Sequence, residues 1–299
     1  MTLPDYNSPA ALKALLDENG MAMQKKFGQN FLINEGSRKA LVDSLAVQPE
    51  MEVWEVGPGL GAMTALLLQH GVRLTAFELD HGFARLLSGF FAPEAETGAF
   101  TLVEGDVLKT WQGAYAQARA RGKLPARFFG NLPYNIAATI IADTIEHDAR
   151  FERAVVTVQK EVGQRMCAVP KSDAYSSFSV LCQWAYTVQP LMDLAGGCFW
   201  PRPNVESRAL VLTRRDDFPR CNNPALFTRL THALFANRRK TVRNNIQPLL
   251  PPAVAAEALF SACDIAPNER AENLRIEKLL ALSDLLNSAI LEKGGHHAK

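Results

Sequence analysis

Three glycines between a predicted strand and a predicted helix are the first residues in this sequence that could bind a ligand. Gly57, Gly59 and Gly61 occur in the segment EVGPGLGAMT, residues 55–64. Glycines allow a tight turn and a close approach of a ligand to the backbone, and the start of the following helix offers free N–H donors. The segment also matches the G-x-G-x-x-G/A pattern of dinucleotide-binding turns. Taken alone, the pattern fits a nucleotide-type ligand or a merely tight turn equally well.

Two acidic residues follow the next two predicted strands. Glu78 comes about twenty residues after the glycine turn, where a carboxylate can accept hydrogen bonds from both hydroxyls of a ribose. Asp106, in VEGDVL, could bind an adenine amino group or could cap the next helix. A solvated carboxylate at a strand end is the alternative for Glu78. Together, the glycine turn and Glu78 favour a cofactor that contains ribose.

The loop GNLPYNI, residues 130–136, carries groups that could hold a base. The exocyclic amine of adenine is a poor nucleophile because its lone pair is delocalised into the ring. The side chain of Asn131 and the carbonyl of Leu132 could accept its two N–H groups and direct the lone pair to a sulfonium methyl. Tyr134 could stack on the base or could pack on the following helix. This set predicts amine methylation, with positioning as the main catalytic contribution.

The elements around these loops alternate between short apolar strands and helices. Strands are predicted at residues 53–56, 73–77, 101–103, 127–129, 154–158 and 209–213, and helices at residues 9–19, 37–47, 62–69, 82–90 and 137–147. Ser37 is the predicted N-cap of the second helix. The alternation predicts an α/β fold with a parallel sheet and helices on both faces. Because ligands bind at the carboxyl ends of such strands, the loops described above should meet at one edge of the sheet.

The composition fits a folded chain with two differently charged parts. Of 299 residues, 47% are hydrophobic, and 32 Lys and Arg stand against 31 Asp and Glu. The net charge divides into −3 for residues 1–213 and +4 for residues 214–299, where only helical segments are predicted. Five scattered cysteines without a CxxC pair argue against a disulfide framework or a structural zinc site. The sequence shows neither a signal peptide nor a membrane-spanning run, so a cytoplasmic location is expected.

The segments that carry these features resemble one family, the small-subunit ribosomal RNA adenine dimethyltransferases. These are KsgA-like enzymes with the class I S-adenosylmethionine-dependent methyltransferase fold. The matching segments, in family order, are KKFGQNFL (25–32), EVGPGLGAMT (55–64), FELD (77–80), GDVL (105–108), GNLPYNI (130–136), VQKEVGQRM (158–166), FWPRPNVES (199–207) and LFANRRKTVRNNI (234–246). One departure is Ser176 and Phe178, where the family commonly has Gly and then Leu.

The resemblance implies the fold, the cofactor and a set of cofactor-binding residues. The fold would be a Rossmann-like sheet with helices on both faces at residues 1–213, of which 1–24 are a lead-in, plus a small all-helical RNA-binding domain at 214–299. The cofactor would be S-adenosyl-L-methionine, with no metal. The residues implied around it are Gln29, Asn30 and Leu32 closing the site, Gly57 and Gly59 under the methionine part, Glu78 on the ribose, Asp106 on the adenine amine and Asn131 at the junction with the target base.

The resemblance also implies the substrate. Family members dimethylate two adjacent adenosines in the 3′-terminal hairpin loop of small-subunit (16S) ribosomal RNA during ribosome maturation. The implied partners are that RNA and the pre-30S subunit, bound by a monomeric enzyme with no membrane contact. Asn131, Leu132 and Tyr134 would hold the flipped adenine, and Phe199 matches the aromatic residue on its opposite face.

Four basic residues near the C-terminal part are the predicted phosphate contacts. Arg238, Arg239, Lys240 and Arg243 are predicted on one helical segment, with Arg239 and Arg243 on the same face and no acidic partner nearby. A solvated basic face is the alternative interpretation.

Three other functions fit part of the sequence. The large-subunit ribosomal RNA adenine dimethyltransferases of the antibiotic-resistance type share GQNFL and an NIPY-like loop, but Leu132 and the RRKTVRN run favour the small-subunit enzymes. An NAD-dependent oxidoreductase could use the glycine turn. A non-catalytic RNA-binding assembly factor could have kept the fold.

Overall fold

The parallel part of the sheet in this protein is built from short apolar segments that alternate with helices along the chain. A computed structural model describes residues 1–21, 29–132, 136–216, 221–250, 256–266 and 268–294. The strands within these ranges are β1 (Phe31–Leu32), β2 (Glu52–Val56), β3 (Arg73–Glu78), β4 (Phe100–Glu104), β5 (Arg127–Asn131), β6 (Arg153–Gln159), β7 (Tyr186–Leu194), β8 (Phe199–Trp200) and β9 (Ser207–Arg214).

The helices within the same ranges are α1 (Pro9–Glu18), α2 (Glu35–Leu45), α3 (Ala62–Gln69), α4 (His81–Phe90), α5 (Ala92–Glu96), α6 (Val107–Ala120), α7 (Ala137–Glu146), α8 (Lys160–Met166), α9 (Ser177–Ala185), α10 (Pro224–Phe235), α11 (Val242–Ile246), α12 (Ala256–Ala262) and α13 (Ile276–Gly294). Short 3-10 helices occur at Gly196–Cys198, Gln247–Leu249 and Ala271–Asn273. None of the helices in the described ranges is long and apolar enough to cross a membrane.

Seven strands form the main sheet in the order β4-β3-β2-β5-β6-β9-β7. The strands from β4 to β6 are parallel, which confirms the predicted α/β sheet. The strand β9 is antiparallel to β6, with Arg153 opposite Thr213 and Gln159 opposite Ser207. The edge strand β7 was not predicted from the sequence. It contains Pro190, and proline within a run argues against a strand except at a sheet edge, which is where β7 lies.

The core of the sheet unit forms where strands and helices bury their apolar faces. Leu41, Leu45, Val53 and Leu67 are each fully buried in one hydrophobic cluster. Burial of a side chain of this size contributes roughly 1.5–3 kcal/mol relative to leaving it exposed. The predicted N-cap at Ser37 is wrong, because α2 begins two residues earlier and the side chain of Asn34 accepts a hydrogen bond from the Ser37 backbone N–H.

The chain divides into two units. The first contains Met1–Ile141, Ala149–Gly163 and Val188–Arg214, and the second contains Ala142–Asp148, Gln164–Thr187 and Arg215–Lys299. Along the chain, the first unit ends at Arg214, one residue beyond the predicted domain boundary. Two earlier segments, Ala142–Asp148 and Gln164–Thr187, also belong to the second unit. Side chains of the segment Gln164–Thr187 pack within this unit.

Aromatic contacts show this packing in the second unit. The rings of Trp184 and Phe227 lie 4.9 Å apart, and those of Tyr175 and Phe235 lie 5.6 Å apart. The hydroxyl of Tyr175 also donates a hydrogen bond to the Leu274 carbonyl. Trp184 and Tyr175 therefore tie the segment before residue 188 to the helices after residue 214.

Candidate active site

The glycine turn joins β2 to α3 with a backbone that other residues would adopt only under strain. Gly59 and Gly61 have φ values of +58° and +88°. A Cβ atom on Gly59 would lie 3.0 Å from the ring of Phe31, and one on Gly61 would lie 2.8 Å from the ring of Phe91. The turn therefore needs glycine both for its conformation and for the close approach of neighbouring rings.

A cavity of about 340 Å³ lies at the carboxyl ends of the parallel strands. This volume is in the range of small-molecule sites. Its lining includes every residue that the family resemblance assigns to the cofactor, namely Gln29, Asn30, Leu32, Gly57, Gly59, Glu78, Asp106 and Asn131. The loops after β2, β3, β4 and β5 meet here because the parallel register aligns the ends of these strands.

The carboxylate of Glu78 is held in place by the backbone. Only 7% of Glu78 is exposed. Its Oε2 accepts a hydrogen bond from the Gly59 N–H at 3.1 Å, and its Oε1 accepts one from the Asp80 N–H at 2.9 Å. Burial raises the pKa of Glu78 to about 7, and the backbone hydrogen bonds offset part of that rise. Because each carboxylate oxygen can accept more than one hydrogen bond, Glu78 can still bind ligand hydroxyls.

Asp106 fits both functions considered for it. Its Oδ1 accepts a hydrogen bond from the Leu108 N–H at 3.0 Å, so it is the N-cap of α6. It also lines the cavity. The two roles are compatible, since a carboxylate that caps a helix through one oxygen can accept a hydrogen bond from a ligand amine through the other.

Gln29 and Asn131 lie far apart in the sequence, but both line the cavity. The side-chain amide of Gln29 donates to Asp80 at 3.2 Å, and that of Asn131 donates to the Asn30 carbonyl at 3.1 Å. The bond from Asn131 Nδ2 fixes the plane of the amide, which leaves Oδ1 as its acceptor toward a ligand. The segment just before β1 and the end of β5 are thereby joined at the site.

Leu132 is fixed by both its backbone and its side chain. Its N–H donates to the Thr157 carbonyl of β6 at 3.1 Å. A Cβ atom on Gly130 would lie 2.5 Å from Leu132 Cδ2, so glycine at position 130 makes room for the leucine. Tyr134, the predicted stacking residue, lies outside the described residues.

Phe199, which the resemblance places on the opposite face of the target base, is buried in the core. It begins β8, pairs with Leu32 of β1, and is only 4% exposed. Its ring belongs to the hydrophobic core cluster, and it is not among the residues that line the cavity. The pairing of β8 with β1 buries this ring, and its contact with a target base stays a prediction.

Two residues with polar side chains in the cavity lining, Glu55 and Tyr6, were not predicted from the sequence. Glu55 is fully buried under the glycine turn, where its Oε2 accepts a hydrogen bond from the Thr64 hydroxyl at 2.7 Å. Burial raises the pKa of Glu55 to about 8. Tyr6 lines the cavity from a segment far from every motif. Glu55 lay inside the glycine motif and could have been suspected, whereas nothing in the sequence around Tyr6 indicated a role.

The basic residues near α11 differ from the prediction in two respects. The helix begins only at Val242, after the N-cap Thr241, so Arg238, Arg239 and Lys240 lie in the preceding turn rather than on a shared helical face. Asn245 maintains this turn, because its buried side chain donates to the Leu234 and Asn237 carbonyls.

The expectation of no acidic partner is also wrong. Arg238 pairs with Glu272 at 2.9 Å, and Arg243 pairs with Glu257 at 2.7 Å. Both acidic partners come from segments remote in sequence, which is why the local pattern concealed them. Within the described part of the chain, the exposed side chains of Arg239 and Lys240 form no ion pair. Among the same residues, no group of three or more His, Cys, Asp or Glu side chains could hold a metal ion.

Comparisons with known proteins extend these observations. A model of the family described as ribosomal RNA adenine dimethylase matches residues 20–288. The ribosomal RNA small subunit methyltransferase A of Treponema pallidum is 48% identical over 295 residues, covering 97% of this chain and all of the relative. The protein of the same name from Treponema denticola is 44% identical and covers 95% of this chain and 96% of the relative.

Solved structures agree in fold. A dimethyladenosine transferase from Plasmodium falciparum matches with a TM-score of 0.70 at 21% identity, covering 86% of this chain and 97% of that one. A 23S rRNA methyltransferase matches with a TM-score of 0.59 at 19% identity, covering 86% and 99%. At these identities the likeness establishes the fold alone, an α/β methyltransferase sheet.

Proposed function

Because this chain belongs to the ribosomal RNA adenine dimethylase family, we propose that it dimethylates two adjacent adenosines in the 3′-terminal hairpin loop of small-subunit (16S) ribosomal RNA. The methyl donor is S-adenosyl-L-methionine. The observation that carries the proposal is the cavity at the strand ends, whose lining combines the glycine turn, the carboxylates of Glu78 and Asp106, and the amide of Asn131.

The chemistry of the cavity fits this cofactor. S-adenosyl-L-methionine, when bound, supplies a methyl group on a positively charged sulfur. Glu78, already oriented by two backbone N–H groups, would accept hydrogen bonds from the ribose hydroxyls. Asp106 would accept one from the adenine amine, and the bare backbone of Gly57 and Gly59 leaves room for the methionine part. Gln29, Asn30 and Leu32 would close the site over it, as their places in the cavity wall allow.

The target base would be held at the end of β5. The Oδ1 atom of Asn131 and the carbonyl of Leu132 would accept the two N–H groups of the target amine and turn its lone pair toward the methyl group. Such a base must leave its stack, and Tyr134 would support one face of it. Phe199 would support the other face only after its ring moves out of the core. The amine needs no general base, since alkylation makes it acidic enough to lose a proton to water.

The RNA around the target base would contact the helical unit. Arg239 and Lys240 are exposed in the turn before α11 and are the first candidates for phosphate contacts. Arg238 and Arg243 would join them by exchanging an acidic partner for a phosphate. We propose that the enzyme acts as a monomer on the pre-30S subunit, in the cytoplasm.

The proposal is tested by the choice of substrate. Purified protein is incubated with labelled S-adenosyl-L-methionine and either undermethylated small subunits or naked large-subunit RNA. We expect methyl transfer to the small subunit alone, and mass spectrometry should place two methyl groups on each of two adjacent adenosines. Activity confined to large-subunit RNA would overturn the assignment. Thermal stabilisation by NAD and not by S-adenosylhomocysteine would contradict the cofactor.

A further inference from the structure

The first residues of the chain, which precede the segment matched by the family model, form part of the cavity wall. The match begins at residue 20, yet Tyr6 and Leu12 both line the cavity. The Tyr6 hydroxyl donates a hydrogen bond to the carbonyl of Leu60 at 2.9 Å. Leu60 lies inside the glycine turn and lines the same cavity. A segment outside the recognised family region is thus bonded directly to the turn that the cofactor would contact.

We propose that residues 1–19, called here the N-terminal segment, form a wall of the cofactor site that contributes to cofactor affinity. Within this segment, Tyr6 is a positioning residue. Its hydroxyl holds the Leu60 carbonyl, and thereby the glycine turn, in the conformation that receives S-adenosyl-L-methionine. This inference rests on the proposed function, because it concerns the affinity of the same cavity for the same cofactor.

The N-terminal segment is anchored in the core. Its helix α1 begins with Ser8 as N-cap, whose hydroxyl accepts a hydrogen bond from the Ala11 N–H, and with Pro9 at the first position. Leu12 and Leu16, one helical turn apart, are 1% and 3% exposed and belong to the same cluster as the core of the sheet unit. Because α1 is packed into the core, the backbone next to Tyr6 is held in place beside the glycine turn.

A single buried arginine connects this segment to Leu32, another residue of the cavity wall. Arg38 of α2 is 4% exposed, and its Nη1 donates to the Leu32 carbonyl at 2.8 Å and to the Tyr6 carbonyl at 3.4 Å. Its Nη2 donates to the side chain of Asn7 at 2.6 Å. A buried guanidinium must be hydrogen-bonded to avoid a large desolvation cost. The positions of Tyr6 and of the wall residue Leu32 are consequently coupled through one side chain.

The surface of α4 is shaped to receive the chain on either side of α1. A Cβ atom on Gly82 would lie 2.5 Å from the side chain of Met21, and one on Gly89 would lie 3.4 Å from that of Met1. The two glycines are seven residues apart and so lie on one face of the helix. Met1 and Met21, on either side of α1, therefore both lie against α4. This is the helix whose Phe83 lines the cavity.

The experiment compares ligand affinity in full-length variants. Calorimetry with S-adenosylhomocysteine is run on the wild type, Tyr6→Phe and Tyr6→Ala, with Tyr115→Phe as the matched control. Tyr115 packs on Trp54 and Trp111 and does not line the cavity. Loss of one hydrogen bond to a buried carbonyl should raise the Kd for S-adenosylhomocysteine about three- to tenfold in Tyr6→Phe, and further in Tyr6→Ala.

Steady-state kinetics separate positioning from a merely structural role. We expect the KM for S-adenosyl-L-methionine to rise in Tyr6→Phe, while kcat and the affinity for small subunits stay at the wild-type values. The inference is overturned if the Kd in Tyr6→Phe matches that of Tyr115→Phe, even when the Tm of the protein without ligand falls. Failure of the wild type to bind S-adenosylhomocysteine would instead refute the proposed function.

Discussion

The cofactor cavity and the basic turn before α11 hold their polar groups in opposite ways. In the cavity, Glu78, Asp106 and Asn131 are each fixed by a hydrogen bond with the backbone, and Glu78 is almost fully buried. Arg238 in the turn and Arg243 in the first turn of α11 are exposed and are paired with carboxylates of other segments. When a buried, oriented group is removed, water cannot take over its hydrogen bonds. Exposed charges, in contrast, are screened by salt and exchange partners readily. Single changes should therefore have large effects in the cavity and small, salt-dependent effects in the turn.

The largest expected effect is loss of methyl transfer in Asn131→Ala. Removing an oriented group that acts on the reacting amine should lower kcat by at least about 100-fold. Affinities for S-adenosylhomocysteine and for small subunits should change by less than about threefold, since other residues supply most of those contacts. Radiolabelled methyl transfer and calorimetry measure the two effects. Asn287→Ala, the same change in the helical unit, is the control, and a kcat within fivefold of the wild type in Asn131→Ala would contradict the role of the amide.

Glu78→Gln should weaken cofactor binding by about ten- to a hundredfold, because hydrogen bonds to a charged acceptor are worth roughly 1.5–3 kcal/mol. Calorimetry with S-adenosylhomocysteine measures the change. Glu104→Gln is a matched control, since Glu104 lies opposite Glu78 in the β3–β4 register but is exposed and lines no part of the cavity. Equal losses in the two variants would show that general charge, rather than the oriented carboxylate, sets the affinity.

The pH dependence of binding should follow the pKa of Glu78, which burial raises to about 7. A ribose binds best to the ionised carboxylate, so the affinity for S-adenosylhomocysteine should fall by up to about tenfold between pH 8 and pH 6. In Glu78→Gln this contribution should vanish. A wild-type affinity that does not change over this range would contradict the ionised form as the acceptor.

The stability of the ligand-free protein should respond to pH in the opposite direction. A carboxyl whose pKa is raised on folding stabilises the native state fully below its unfolded pKa, and this contribution is lost as the pH rises through about 7 for Glu78. The Tm should therefore fall from pH 6 to pH 8, and less so in Glu78→Gln. Glu55, whose pKa is raised by burial to about 8, adds a fall of the same sign that persists in that variant.

At the basic turn and the start of α11, two double variants that remove the same charge should behave differently. Arg239→Ala with Lys240→Ala should reduce the slope of log affinity against log salt by about 1.5, as expected for two lost phosphate contacts. Arg238→Ala with Arg243→Ala should reduce it less, because these arginines already have acidic partners. Binding to small subunits is measured from 50 to about 300 mM salt. Equal slopes in both variants would indicate that all four residues, or none, contact phosphate.

The smallest effect is expected on removing one ion pair. Glu257→Gln breaks the pair with Arg243, in which both side chains are 52% exposed. Exposed ion pairs contribute about 0–1 kcal/mol, so the Tm should change by less than about 2 °C. Calorimetric unfolding measures the shift. A larger fall would show that the turn is held as tightly as the cavity, and the contrast between the two regions would disappear.

The parts of the fold that could be predicted from the sequence depend on short-range pattern. Apolar strands followed by helices fixed the parallel part of the sheet, and parallel strand ends had to bring Glu78, Asp106 and Asn131 to one edge. The rest depends on contacts between distant residues. Tyr6 meets Leu60 across 54 positions, and Arg238 meets Glu272 across 34. No local spacing carries such information, because the order of neighbours along the chain does not record which distant residues meet.

The position of β9 between β6 and β7 has a consequence for the order in which the nascent chain can fold. The strand β7 is synthesised before β9 but borders only β9 in the sheet, so it cannot join until β9 has left the ribosome. The edge of β6 stays open for longer, while about 50 residues are synthesised over roughly 3 to 10 seconds. An open strand edge is a template for wrong pairing. Until β9 is available, wrong pairing of β6 therefore competes with completion of the native sheet.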